Sequence, residues 1–139
     1  MSDYPKPLPD VDYPLTAPFW RATREHRLVV QRCASCAYLR WPPGPVCPEC
    51  GAREATWTEV RPTGTLWSVA EYHRAFAPEF AGDLPYTVGL IELDDGPRMY
   101  GTMSGEPGSF ILDGAVHAVF VDATPAVTLV GWGMTERTT

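Results

Sequence analysis

All four cysteines of the 139-residue chain lie between positions 33 and 50, arranged as two C-x-x-C pairs. Cys33 and Cys36 form the first pair, and Cys47 and Cys50 form the second. Structural Zn²⁺ takes four tetrahedral ligands, and one tight C-x-x-C turn supplies two thiolates at once. We therefore expect a zinc ribbon in which all four cysteines bind one structural Zn²⁺.

Two other chemistries use the same pattern. A redox pair of the thioredoxin type also has C-x-x-C spacing, and a site of the rubredoxin type holds iron with four cysteines. Two pairs at ribbon spacing favour zinc over both alternatives. A closed site of four thiolates has no open coordination position and leaves no free thiol, so neither the metal nor a cysteine is expected to act in catalysis.

The residue that follows each pair needs a permissive backbone, because the chain turns there to direct amide groups at sulfur. Gly51 meets this requirement after the second pair. Ala37 meets it only in part after the first pair, so we expect a slightly strained first turn.

The three histidines fall on different parts of the chain, at His26, His73 and His117. This arrangement does not resemble a nucleophile with its base. His73 or Glu79 could act as a general base only with a perturbed pKa in a water-poor cleft. The residues therefore favour a chain that is not an enzyme by itself.

The elements that must position the cysteines begin with a helix predicted at residues 16–27. Thr16 is the expected N-cap, and Pro18 is tolerated in the first turn. One face of this helix combines three residues: Phe19, Ala22 and His26. Residues 28–31 read as a strand that leads to Cys33, and the stiff segment 41–45 leads to the second pair.

The rest of the chain alternates short strand patterns with turn residues. We predict strands at residues 65–76, 86–93, 98–104, 115–121 and 126–132. The sequence Asp94-Asp95-Gly96 is a strong hairpin signal. The first strand changes its apolar face partway, as a strand that bends to serve both halves of a barrel would do. The prediction is a five-stranded OB-fold barrel.

The fold class is therefore mostly β, with an N-terminal helix and a rubredoxin-like zinc ribbon before the OB-fold barrel. We divide the chain into an extended arm at 1–14, the helix and ribbon at 15–60, and the OB-fold at 61–139. The alternative for the arm is simple disorder.

Charge and hydropathy exclude several classes of protein. The net charge of −6 opposes binding to phosphate backbones, so nucleic acid is disfavoured as a partner. The N-terminus lacks the pattern of a signal peptide, and no run of eighteen apolar residues occurs. We expect a soluble cytoplasmic protein that does not contact a membrane, in which clustered cysteines bind metal instead of forming disulfides.

The segment 73–86 is rich in aromatic side chains and is a candidate interface loop. Phe76, Phe80 and Tyr86 belong to it, and Trp20 lies beside the apolar face of the predicted helix. Large rigid side chains on a projecting loop are typical anchors for a protein partner. The alternative is a loop that folds over one barrel mouth and buries Phe76 and Phe80, with Trp20 in the core.

Several motifs together resemble a known family, the proteins catalogued as domain of unknown function thirty-five. They are "FWRATREHRLVVQRCASC", "WPPGPVCPECGA", "TGTLWSVAEYH", "LPYTVGLIELDDGPRMYG" and "LDGAVHAVF". The sequence departs from the family at Ala37, where glycine is usual, and at Ala70, where threonine is frequent. The resemblance covers the chain from about Pro14 onward.

The resemblance implies a zinc ribbon followed by an OB-fold, and a helper subunit associated with acyl-CoA metabolism. Members of the family resemble partners of thiolase-like enzymes, hydroxymethylglutaryl-CoA synthase, MaoC-type hydratases and aldolases of steroid side-chain degradation. The expected partner is therefore a thiolase-fold enzyme subunit in a hetero-oligomer, a thiolase or an aldolase of sterol or fatty-acid side-chain breakdown. If acyl-CoA touches this chain, Arg61, Arg74 and Arg98 are the candidates to meet its phosphates.

A second hypothesis is a single-stranded nucleic-acid module, since zinc ribbons and OB-folds both bind nucleic acids through aromatic platforms. The candidate stacking residues are Trp41, Trp67, Tyr72 and Tyr100. The acidic balance ranks this hypothesis below the helper subunit, because the basic groove is missing.

Overall fold

The computed structural model describes residues 4–136. Over these residues the chain forms helix α1 (Ala17–Arg24), strands β1 (Leu28–Cys33), β2 (Leu39–Arg40), β3 (Ala55–Val60) and β4 (Thr63–Tyr72), a 3₁₀ helix (Pro78–Asp83), and strands β5 (Tyr86–Leu93), β6 (Arg98–Ser104), β7 (Ala115–Thr124) and β8 (Val127–Met134). The chain is thus mostly β, as predicted.

The first sheet carries the cysteine turns. Its order is β2-β1-β3, and β1 is antiparallel to both neighbours. Leu28 pairs with Val60 at one end of β1, and Cys33 pairs with Ala55 at the other end. Both cysteine turns therefore lie in the connections on either side of the two-residue strand β2.

The second sheet closes into a five-stranded barrel of order β4-β5-β6-β8-β7. Four of the five contacts around the barrel are antiparallel, and β6 pairs with β8 in parallel. Thr63 opposite His117 belongs to the β4–β7 pairing that closes the ring. The predicted OB-fold barrel is confirmed, and the hairpin turn at Asp94-Asp95-Gly96 joins β5 to β6.

The first barrel strand bends as predicted. The β4–β5 register shifts between Leu66 and Ser68, which marks a β-bulge. Leu66 is fully buried, whereas the side chain of Trp67 is 48% exposed. The predicted extension to Phe76 is wrong: β4 ends at Tyr72, because Tyr72 pairs with Tyr86 and β5 has no earlier residue to pair with.

Helix α1 is shorter than the predicted 16–27. Thr16 lies at the N-cap position as predicted, but its side chain makes no capping hydrogen bond. Phe19 and Ala22 are buried as one face, but His26 lies beyond the helix with a left-handed φ of 57°. Its ring stacks on Phe120 at 5.0 Å between centroids instead of joining the helical face.

The helix, the ribbon sheet and the barrel share one apolar core. The core residues from the first sixty positions are Phe19, Leu28, Val30 and Val60; those from the barrel are Leu66, Ile91, Leu93, Met99, Met103, Val116 and Trp132. In addition, the buried Thr23 hydroxyl donates a 2.9 Å hydrogen bond to the Thr128 carbonyl, which joins α1 to β8. Burial of this shared apolar surface supports the ribbon against the barrel.

Strands β7 and β8 each extend past the predicted ends at 121 and 132, to Thr124 and Met134. They form a long antiparallel pair whose turn is stabilised by the Thr124 hydroxyl, which accepts hydrogen bonds from the Ala126 and Val127 amides. Among residues 4–136 no helix is long and apolar enough to cross a membrane.

Candidate metal centre and aromatic surface

The four cysteine sulfurs converge at the end of the ribbon sheet. The Sγ atoms of Cys33 and Cys50 are 3.5 Å apart, and those of Cys36 and Cys47 are 3.7 Å apart. All four sulfurs lie within 4.8 Å of one another. A tetrahedral Zn²⁺ with Zn–S bonds of about 2.3 Å needs sulfurs about 3.8 Å apart, so this set fits the ion.

The two turns that hold the sulfurs repeat the same backbone pattern. The Ala37 amide donates to the Cys33 carbonyl at 3.0 Å, and the Gly51 amide donates to the Cys47 carbonyl at 2.9 Å. Ala37 has φ 65° and Gly51 has φ 78°. The predicted need for a permissive backbone is confirmed, and the strained residue is Ala37, because its side chain crowds the backbone in the left-handed region.

The four thiols cannot all ionise at this spacing without a cation. The amides of Cys36 and Ser35 lower the pKa of Cys33 to about 6. The Tyr38 amide lowers the pKa of Cys36, but desolvation and the neighbouring sulfurs outweigh it and raise that pKa to about 12. Four thiolates this close repel one another, so all four ionise only around a metal ion.

A buried hydrogen-bond network joins strands β1 and β2 of the ribbon to the segment that leads to the second cysteine pair. The sequence analysis did not single out this network. Gln31 Oε1 accepts hydrogen bonds from Arg40 Nε at 2.7 Å and from the Gly44 amide at 2.9 Å. Arg40 Nη2 donates to the Gly44 carbonyl at 3.0 Å. Gln31 and Arg40 are 7% and 5% exposed. A polar residue at the end of the apolar run Leu28-Val29-Val30 was the available signal.

Three of the four predicted partner-binding residues lie in one aromatic cluster. Tyr72 stacks on Tyr86 with ring centroids 4.8 Å apart, and Phe76 meets Tyr72 edge-on at 6.3 Å. Phe80 lies 5.7 Å from Tyr86. We call Tyr72, Phe76, Phe80 and Tyr86 the aromatic cluster.

Burial distinguishes the members of the aromatic cluster. Phe76 is 77% exposed, so the alternative in which the loop buries this ring is not what the structure contains. Phe80 and Tyr86 are half-buried. The fourth predicted residue, Trp20, lies elsewhere on α1, half-buried and 4.9 Å edge-to-face from Phe19.

The three arginines suggested for CoA contact do not share one place. Arg61 pairs with Asp95 at 3.3 Å, and Arg98 pairs with Glu92 at 3.3 Å, at the hairpin end of the barrel. Arg74 lies past the opposite end of β4, with its guanidinium 5.8 Å from the Phe76 ring centroid. Among residues 4–136 Arg74 forms no ion pair.

The candidate general bases lie on exposed surface. His73 Nε2 is 3.8 Å from Glu71 Oε1, and the His73 side chain is 72% exposed. Glu79 is exposed in the first turn of the 3₁₀ helix. His117 contacts the Thr135 hydroxyl at 2.9 Å, and His26 contacts Asp122 at 3.0 Å, so the three histidines have separate surroundings.

Two family models match adjacent parts of the chain. The rubredoxin-like zinc ribbon domain of ChsH2 matches residues 20–55, and the C-terminal OB-fold domain of ChsH2 matches residues 57–121. The chain in a solved structure titled "Ltp2-ChsH2(DUF35) aldolase" superposes with a TM-score of 0.77 at 34% identity. This match covers 93% of the present chain and 98% of that chain.

Two curated relatives are named as subunits of enzymes that act on CoA thioesters. A probable enoyl-CoA hydratase alpha subunit of Thermomonospora curvata is 38% identical over 80% of this chain, which spans 35% of that relative. The benzoylsuccinyl-CoA thiolase subunit BbsA of Thauera aromatica is 31% identical over 62% of this chain and 58% of its own length. The chain thus spans only part of each relative. The fold, the four cysteines and these matches show that the chain belongs to the ChsH2-type DUF35 family of zinc-ribbon and OB-fold proteins.

Proposed function

We propose that this chain is a non-catalytic accessory subunit that binds and stabilises a thiolase-fold enzyme acting on CoA thioesters. The observation that carries the proposal is the aromatic cluster, in which Phe76 is a large apolar ring that is 77% exposed. The names of the relatives support the class of partner, since they are subunits of thiolase, aldolase and hydratase enzymes. The resemblance favours a thiolase or an aldolase of sterol or fatty-acid side-chain breakdown, in a cytoplasmic hetero-oligomer.

The aromatic cluster has the composition of an interface centre. Aromatic rings bury large area at little cost in side-chain entropy, and they are enriched among the residues that dominate binding energy. Tyr72, Tyr86 and Phe80 are already packed together, so Phe76 is presented on a preorganised base. Trp20 on α1 is a second proposed contact, with a smaller exposed part.

Arg74 is the arginine we favour for a phosphate of CoA at this interface. In the part of the chain that the structure describes, Arg74 lies beside the Phe76 ring and pairs with no carboxylate, whereas Arg61 and Arg98 already pair with Asp95 and Glu92. A phosphate would therefore meet Arg74 without displacing a protein anion. Arg61 and Arg98 remain candidates for CoA contact, but each would have to leave its carboxylate partner to bind a phosphate.

The test is the substitution Phe76→Ala. Co-purification from the native host identifies the enzyme subunit, and titration calorimetry then measures its affinity for the pure chain. We expect Phe76→Ala to weaken binding at least about tenfold, or about 1.4 kcal/mol, without lowering the melting temperature. Tyr100→Ala is the matched control, because Tyr100 is a 71% exposed ring outside the aromatic cluster.

Equal binding by wild type and Phe76→Ala would contradict the proposed surface. Turnover of an acyl-CoA by the purified chain alone would contradict the accessory role.

The nucleic-acid alternative has two exposed rings in its favour, Trp67 at 48% and Tyr100 at 71%. Trp67 is covered by the Arg98 guanidinium, 4.1 Å from its ring centroid, and Arg98 is paired with Glu92. Trp41 packs on Phe19 at 4.4 Å. A gel-shift assay with oligonucleotides at low salt separates the hypotheses, since tight binding would reverse the ranking.

A further inference from the structure

A second feature of the barrel lies beneath the N-terminal arm. A cavity of about 500 Å³ separates arm residues Tyr4, Lys6 and Pro7 from the barrel wall. The wall includes Phe80, Val121 and Leu129, which come from the 3₁₀ helix, β7 and β8. The arm therefore spans an apolar space that it does not fill.

The arm is held across this space by Lys6, the only lysine in the sequence. The Lys6 ammonium forms an ion pair with Asp83 at the end of the 3₁₀ helix, and it lies 5.7 Å from the Phe80 ring centroid. The hydrogen bond to Asp83 raises the pKa of Lys6, so the lysine is charged at neutral pH. The arm is thus fastened at one charged point beside the cavity.

The walls and volume of the cavity indicate the chemistry of its ligand. Most of the lining is apolar and includes Phe80, Val121 and Leu129, while Thr102 and Ser104 add hydroxyl groups. Val121 is 45% exposed. The space is far larger than one side chain and lies within the range of about 300–1,000 Å³ that small-molecule sites occupy. Lys6 and Asp83 neutralise each other, so this edge of the cavity does not select a charged ligand.

We propose that this cavity binds the hydrocarbon body of an amphiphile, a flexible chain or a fused-ring system, with the Lys6–Asp83 pair closing the arm over it. The residues that line this cavity all belong to this chain. Phe80 and Tyr86 also belong to the aromatic cluster, so amphiphile binding is measured on the chain alone and binding of the enzyme subunit is measured separately.

The experiment uses the full chain with two amphiphiles, dodecanoate for a flexible chain and cholate for fused rings. Titration calorimetry gives the dissociation constants, and thermal scans with saturating ligand report the accompanying rise in Tm. We expect saturable one-site binding of at least one amphiphile, and the stronger of the two identifies the hydrocarbon shape. Coenzyme A without an acyl group should not bind there.

Val121→Arg places a charge in the apolar wall and should weaken amphiphile binding at least about tenfold, because the guanidinium would lose water on ligand entry. Ile111→Arg is the matched control, since Ile111 is a 66% exposed apolar residue outside the cavity. Equal affinities of the two variants would overturn the site. If Val121→Arg weakens only binding of the enzyme subunit, and no amphiphile saturates, the cavity is a protein contact and the proposal is wrong.

The role of the arm has its own test. Lys6→Asp should weaken amphiphile binding by repelling Asp83, and the double variant Lys6→Asp with Asp83→Lys should restore it by reversing the pair. Restoration supports closure by this ion pair. Unchanged binding in Lys6→Asp, or no recovery in the double variant, would overturn the closing role of the arm.

Discussion

At the residue scale, each cysteine offers one of four sulfur ligands, and four thiolates this close repel one another unless a metal ion lies between them. Cys47 is 2% exposed, and its sulfur lies 3.7 Å from that of Cys36. A missing thiolate leaves an incomplete tetrahedron and three crowded sulfurs. The metal-binding free energy of a structural zinc site is also folding free energy for the segment that carries it.

We expect Cys47→Ser to lose the metal and unfold the ribbon, and with it to abolish partner binding. Zinc content by atomic absorption should fall from about one equivalent to near zero. Ser35→Ala is the control, because the Ser35 amide and not its hydroxyl contacts Cys33. A Cys47→Ser chain that keeps a full equivalent of zinc and its partner would contradict the structural role. If the native protein contains iron instead of zinc, the assignment of the metal as zinc is wrong.

Ala37 is a residue whose backbone conformation suits glycine better. At φ 65° an alanine is less stable by about 1–2 kcal/mol than in the right-handed region. Glycine removes this strain, but part of the gain is lost because glycine makes the unfolded chain more flexible. We expect Ala37→Gly to raise the free energy of unfolding by about 0.5–1 kcal/mol in urea denaturation. Ala34→Gly in the same turn should instead destabilise, since Ala34 has no left-handed φ. The same sign for both variants would refute the strain.

At the scale of elements, Asp122 links the segment that follows α1 to the long β7–β8 pair. Its carboxylate accepts hydrogen bonds from the Thr128 hydroxyl at 2.7 Å and meets His26 Nε2 at 3.0 Å. The Thr128 hydroxyl and then His26 lower the pKa of Asp122. A carboxylate with a lowered pKa in the folded state stabilises the fold above its unfolded pKa of about 3.9, and this contribution is lost as pH falls through the folded pKa.

We therefore expect Asp122→Asn to lower the melting temperature slightly at pH 7, and the difference from wild type to shrink as the pH falls below about 4. Thermal scans across this range measure it. Glu106→Gln should show no such pH-dependent difference, because no hydrogen bond of the Glu106 carboxylate occurs among residues 4–136. A difference that grows toward acid pH would contradict the role of Asp122.

At the scale of the whole molecule, the ribbon and the barrel share one apolar core, and we expect them to unfold as one cooperative unit. Phe19 is 3% exposed and belongs to the same apolar cluster as Leu28 of the ribbon sheet and Trp132 of the barrel. Removal of a buried phenylalanine ring costs about 3–5 kcal/mol, through lost burial and the cavity that remains. Loss of the Phe19 ring should therefore destabilise both the ribbon sheet and the barrel, although Phe19 precedes both in the sequence.

We expect Phe19→Ala to lower the free energy of unfolding by about 3–5 kcal/mol, and zinc release and tryptophan fluorescence to change in one coincident transition. Tyr13→Ala is the control, because Tyr13 is a 53% exposed ring from the same end of the chain. Zinc release at a denaturant concentration well separated from the fluorescence change would show that ribbon and barrel unfold independently.

The sequence by itself determined the local features. The spacing of Cys33, Cys36, Cys47 and Cys50 predicted the metal centre because two ligands of each pair lie within one turn. Alternation of apolar residues and the Asp-Asp-Gly turn likewise predicted the strands β5 and β6 to the residue. These features depend on neighbours a few positions apart, which a sequence displays directly.

The tertiary structure alone decided which side chains are exposed and which are already paired. Tyr72 meets Tyr86, Lys6 meets Asp83, and His26 meets Asp122 across 14, 77 and 96 positions of sequence. The sequence pattern therefore could not distinguish Arg74 from the two arginines that form ion pairs. It also could not show that Phe76 is exposed or that the arm spans a cavity. Contacts between distant residues form only when the barrel closes, and that closure places the surfaces on which the proposed partner and ligand depend.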